Sequence, residues 1–93
     1  MPKSKNETRN RPLFHVYEII WSEISEKDKK VLYGISMTPS KKVIEIRKFL
    51  TLESNEFAPY KKRLIRKGLV SDTDGYARLA LPLFDEFVIE NYY

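Results

Sequence analysis

The sequence predicts a mainly α fold with one small β-hairpin, an α+β arrangement in which the hairpin precedes the last helix. Three observations carry this. Apolar residues recur at spacings of three and four through most of the chain. A single alternating stretch, residues 76–81, follows an Asp-Gly turn signal. The length of 93 residues bounds the chain to one domain with one core, hiding roughly 65% of its unfolded surface.

Residues 1–12 (MPKSKNETRNRP) lack apolar periodicity and read as a flexible basic tail, with residues 13–93 as the folded domain. Residues 13–24 carry Leu13, Phe14, Val16, Tyr17, Ile19, Ile20, Trp21 and Ile24, with His15, Glu18 and Ser22 as one narrow polar stripe. A helix so apolar must be covered on more than one side, by the core alone or by the core and a partner. Ser25-Glu26-Lys27-Asp28 has the form of a capping box, Asp28 reaching back to the cap. A helix over 26–36 then buries Val31, Leu32 and Ile35.

Thr38-Pro39 breaks the chain, and Ser40 caps a helix over 41–50 with Val43, Ile46 and Leu50 inward and Phe49 beside them. Lys41 and Lys42 stand at the positive end of that helix, where cations are disfavoured unless an anion lies over it. Ser54 or Asn55 caps the next helix, 55–67. Pro59 belongs in a first turn, which favours a start at 55 or later. Phe57, Tyr60, Leu64 and Ile65 face inward, and Gly68 ends the helix in the left-handed region. Residues 69–71 read as a strand, 72–75 as a turn and 76–81 as a second strand. Pro82 opens a last helix, 83–91, with Leu83, Phe84, Phe87 and Val88 inward.

A pair of short helices, 41–50 and 55–67, followed by a hairpin is the order of a winged helix-turn-helix. Here it carries one extra helix at each end. The second helix of such a pair presents one face at a width that fits the DNA major groove. Charge agrees with that role. The formal charge is +4, yet residues 55–67 alone hold Lys61, Lys62, Arg63, Arg66 and Lys67 against Glu56. Lys3, Lys5, Arg9 and Arg11 add a basic tail, and the remaining body is slightly acidic. With Phe57, Tyr60 and Leu64 inward, Asn55, Pro59, Lys62, Arg63 and Arg66 face outward. Arginine reads guanine edges, asparagine reads adenine edges, and both reach phosphates. The expected DNA-binding set is therefore Asn55, Lys62, Arg63, Arg66 and Lys67, with Lys41 and Lys42 on phosphates; Lys61 lies at the flank. The wing, with Asp72 and Asp74 at its tip, is repelled by phosphate and is not expected to insert.

Catalysis is not expected. With no cysteine and His15 the single histidine, thiolate chemistry and paired histidine ligands are excluded, and a Ser/His/acid triad is hard to build. No phosphate-binding glycine loop occurs, and the acidic pairs Asp72/Asp74 and Asp85/Glu86 fall on exposed elements. No cofactor or metal is expected. No apolar run approaches membrane-spanning length, and no signal-peptide pattern opens the chain, so the expected compartment is the cytoplasm.

A family resemblance adds to this. Trp21-x-x-Ile24-Ser25-x-x-Asp28-Lys29-x-Val31-Leu32, Val43-x-x-Ile46, Tyr60-x-x-Arg63-Leu64-x-x-Lys67-Gly68-Leu69-Val70, Gly75-Tyr76 and Leu79-Ala80-Leu81-Pro82-x-Phe84 follow one another in order. The pattern, over roughly residues 17–89, resembles the carboxy-terminal winged-helix domain of prokaryotic AAA-type ATP-binding proteins. The resemblance implies engagement of DNA, as in transcription regulation, or control of an ATPase module. It implies no ATP hydrolysis by these residues. A second class of function uses the Leu13–Ile24 helix to dock on an ATPase module or to pair two copies. A dimeric repressor would join both, with recognition helices about one helical turn apart.

Overall fold

The computed structural model describes residues 12–92; the basic tail, with Lys3, Lys5, Arg9 and Arg11, lies outside them. The elements run α1 (Pro12–Glu23), α2 (Glu26–Met37), α3 (Val43–Leu50), α4 (Ser54–Arg66), β1 (Val70–Thr73), β2 (Tyr76–Leu79) and α5 (Phe84–Asn91). This is the winged helix-turn-helix order, with one helix added at each end.

The centre is α2, which packs against α3, α4, α5 and β2. Its Val31, Leu32 and Ile35 are buried, as their spacing predicts, and they join Ile46, Leu50, Phe57, Leu64, Ala77 and Val88 in one core. Gly34 lies on the same helix where α3 crosses. A Cβ built there meets Leu50 Cγ and Cδ2 at 2.6 Å, so only glycine permits this approach. This close approach is where α3 packs on α2.

Covering of α1 falls to α5. Phe14 stacks edge-on against Phe87, Tyr17 against Phe84, and Trp21 against Phe87. The Tyr17 hydroxyl donates to the Pro82 carbonyl at 2.8 Å, and burial pushes its pKa above the ordinary tyrosine value. Among the described residues Val16 and Ile19 of α1 remain 50% and 52% exposed.

Several boundaries differ from the sequence expectation, each for a backbone reason. α3 starts at Val43 rather than residue 41, because residues 41 and 42 pair with the hairpin. Lys42 bridges Tyr76, Ala77 N–H donates to Lys41 O at 2.8 Å, and Val43 N–H donates to Gly75 O at 2.8 Å. The hairpin is thus stitched to the start of α3. Phe49, expected beside the buried stripe of α3, is 50% exposed. α4 starts earlier than expected, at Ser54, because Glu53 supplies the cap. Its side chain accepts from the Glu56 amide, and Glu53 N–H donates to Glu56 Oε1 at 2.8 Å. Pro59 therefore lies one residue deeper in the helix than expected, on its exposed side, and leaves the Asn55 carbonyl without its usual helical donor.

Gly68, at φ 78°, ends α4 as anticipated. Gly68 N–H donates to Ile65 O and Leu69 N–H to Leu64 O, a Schellman pair with Leu64 and Leu69 buried together. The hairpin pairs Val70 with Leu79 and Thr73 with Tyr76, leaving Asp74-Gly75 as a two-residue turn, both at positive φ. Leu83 does not face inward. It caps α5 in the left-handed region at φ 58° and is exposed, while Phe84, Phe87 and Val88 are buried as predicted.

Candidate nucleic-acid interface

The geometry of α4 sorts its cations into three groups. Phe57 and Leu64 are buried and define the inner line. Opposite it, Asn55, Pro59, Lys62 and Arg66 are exposed at spacings of four, three and four, so they form one outer strip. Neither Lys62 nor Arg66 has an ion partner among the described residues. Lys67, also exposed and without an ion partner there, is the C-cap and lies off the strip, beside Ile20, Glu23, Ile24 and Leu69.

Two cations on the flanks are taken. Lys61 Nζ lies 3.2 Å from Asp72 Oδ2 of β1, which ties α4 to the hairpin and shields one of the wing acids. Arg63 corrects the expectation of an outward guanidinium. Its Nη2 donates to Asp28 Oδ1 at 2.7 Å and its Nε to Asp28 Oδ2 at 3.2 Å. Asp28 is 1% exposed. The hydrogen bonds to Asp28 hold the Arg63 guanidinium above its ordinary pKa. The physical cause of the misreading is Asp28 itself. Ser25 Oγ does accept from the Asp28 amide at 3.1 Å, but the carboxylate turns to α4 instead of closing a capping box. Arg63 also lies over the Tyr60 ring, 5.2 Å from its centroid.

Lys41 is corrected as well. Its Nζ donates to Ile35 O at 2.8 Å and to Ser36 O at 3.4 Å, satisfying the last carbonyls of α2. Burial lowers its pKa against a raising influence from Asp85. It is not available to a phosphate. Lys42 is exposed at the N-cap of α3, beside the hairpin turn and apart from the α4 strip. The hairpin face itself presents Ser71, Thr73, Asp74, Tyr76 and Arg78.

Sequence reasoning missed two residues. A groove of about 420 Å³ runs between α2 and α4, with Lys27 and Lys30 on one wall and Asn55, Pro59 and Arg63 on the other. The available signal was the Lys27-x-x-Lys30 spacing, which puts both on one face of α2.

The class so defined is a winged helix with a basic strip on its second helix-turn-helix helix. Residues 15–88 match the family described as a domain of unknown function (DUF8462), and the chain belongs to that family. No curated protein and no solved structure matches it. No helix among the described residues is long and apolar enough to cross a membrane.

Proposed function

We propose that this chain is a non-catalytic, cytoplasmic DNA-binding domain that enters the major groove with α4. The related role is that of the carboxy-terminal winged helix of prokaryotic AAA-type ATP-binding proteins, acting in transcription regulation. The observation that carries the reading is the outer strip. Asn55, Lys62 and Arg66 lie on one exposed line of a helix held by ion pairs on both flanks, and both cations are unpaired among the described residues. Asn55 and Arg66 read base edges; Lys62 and Lys67 hold phosphates. Lys42 adds a phosphate contact beside the hairpin. Arg63 and Lys41 leave the contact set.

Fluorescence anisotropy with duplex DNA tests this. Three α4 cations predict log K falling with log salt at a slope of about −3, and Lys42 brings it to about −4. Lys62→Glu with Arg66→Glu abolishes binding without unfolding the chain; retained affinity in that variant refutes the face. Arg63 stays out of the variant, because its loss strands the Asp28 carboxylate.

A second reading has its own observation. Val16 and Ile19 stand exposed on α1, on the side that α5 does not cover. This supports docking of α1 on an ATPase module or a second copy. Sedimentation of Ile19→Lys against the parent separates the two: a dimer that becomes monomeric supports self-association.

A further inference from the structure

We infer that Lys27 and Lys30 of α2 form a second phosphate-binding line, so that one DNA backbone runs along the groove between α2 and α4. This rests on the DNA reading of the α4 strip and extends the contact beyond the helix-turn-helix pair.

The groove shares a wall with the strip. Asn55 and Pro59 belong to both, so a duplex seated on the outer face of α4 meets the groove at its edge. The opposite wall carries Lys27 and Lys30, three residues apart on α2 and both exposed. Neither has an acidic partner among the described residues, whereas Lys29 between them is paired with Glu26 at 3.4 Å and lies over Trp21. The two lysines on the groove side are therefore the uncommitted ones.

Arg63 lines the same groove. Asp28 takes its Nε and one Nη2 hydrogen, so its charge is committed within the fold and it adds no phosphate contact. The acid on the groove wall, Glu56, has Oε1 engaged by the Glu53 amide. With Arg63 neutralised by Asp28, two uncommitted lysines face one exposed carboxylate across the opening. On the other flank of α4 the hairpin offers Asp72, held by Lys61, and Asp74 at the turn. Electrostatics favour a phosphate backbone on the α2 side over the hairpin side.

The test measures duplex affinity against salt for the parent chain, Lys27→Gln/Lys30→Gln and Lys62→Gln/Arg66→Gln, with thermal melts confirming that each is folded. Loss of two phosphate contacts makes the salt slope shallower by about 2 for Lys27→Gln/Lys30→Gln. If the curves converge at 1 M salt, that difference is about 60-fold in affinity at 0.1 M. Unchanged slope and affinity in this variant, with binding lost in Lys62→Gln/Arg66→Gln, overturn the second line and leave the DNA reading standing. A parent chain that binds no duplex overturns both. If that chain instead binds polyglutamate through Lys27 and Lys30, the groove belongs to an acidic peptide and the inference is likewise overturned.

Discussion

Gly34 offers the sharpest check on the packing of α3 against α2. In Gly34→Ala the new Cβ sits 2.6 Å from Leu50 Cγ and Cδ2 and 2.8 Å from Cδ1. Carbon atoms in contact prefer about 3.5–4.0 Å, so the overlap is roughly 1 Å against three atoms of one side chain. Leu50 is 4% exposed and ends α3, so it has little room to swing away. Overpacking of this kind costs about 1–3 kcal/mol, while replacing glycine by alanine inside a helix returns about 1 kcal/mol. The parent chain therefore loses up to about 2 kcal/mol, at 4–8 °C of Tm per kcal/mol for a domain of roughly this size. Leu50→Ala alone costs about 2–5 kcal/mol and empties the space that the methyl group needs. In that background Gly34→Ala becomes stabilising, by about 1 kcal/mol from helix propensity and more from filling the void. The double-mutant cycle by urea denaturation then reads a coupling of about 2–3 kcal/mol. A coupling below about 0.5 kcal/mol, with Gly34→Ala stabilising both backgrounds equally, refutes the close approach of α3 to α2.

Other outcomes follow from single contacts. Arg63→Gln leaves a buried carboxylate unpaired and lowers the urea midpoint clearly. Lys62→Gln and Arg66→Gln, on the exposed strip, change stability by no more than about 0.5 kcal/mol. Equal midpoints in all three variants would show that Asp28 is not held by Arg63. Tyr17 keeps its proton longer in the fold than in the unfolded chain, so its contribution to stability is complete below about pH 10 and is lost as pH rises through the folded value. The absorbance titration at 295 nm, taken as parent minus Tyr17→Phe, accordingly has its midpoint above about 10; a midpoint at or below 10 contradicts burial of this hydroxyl. Leu83 sits exposed in the left-handed region, where a leucine is strained and asparagine is better tolerated. Leu83→Asn raises stability by about 0.5–1 kcal/mol in thermal melts; a loss instead would mean that the Leu83 side chain contributes packing.

Periodicity carried most of the fold because the buried positions of α2, α4 and α5 are apolar and regularly spaced. Val31, Leu32 and Ile35, then Phe57 and Leu64, then Phe84, Phe87 and Val88 all land inside. What periodicity cannot register is competition for backbone groups. Residues 41 and 42 suit a helix start by type, but the hairpin claims the Lys41 carbonyl and the Val43 amide, and that pairing depends on residues over thirty positions further on. The Glu53–Glu56 cap was missed for a related reason: Ser54 is the better cap residue by type, and the reciprocal pair outcompetes it. In the candidate site, helical phase placed Asn55, Lys62 and Arg66 on one face. It could not assign Arg63, whose position faces α2 obliquely and whose partner lies 35 residues earlier.

The two long-range ion pairs bear directly on what α4 can contact. The segment 55–67 carries +4 by itself, but Asp28 and Asp72 each cancel one of those charges. What is left is a smaller charge in a better-defined place. Arg63 faces α2 and Lys61 faces β1, so the pairs clamp α4 on opposite flanks and fix its rotation about its own axis. A helix free to roll would spread its cations over many orientations, whereas a clamped one keeps Asn55, Lys62 and Arg66 aligned. Recognition of a base edge needs that alignment more than it needs two further charges, because phosphates supply affinity and geometry supplies discrimination. On this argument Lys61→Gln, which opens one clamp, should weaken binding to a preferred sequence more than binding to random duplex. An equal loss on both would mean that Lys61 acts as a charge alone.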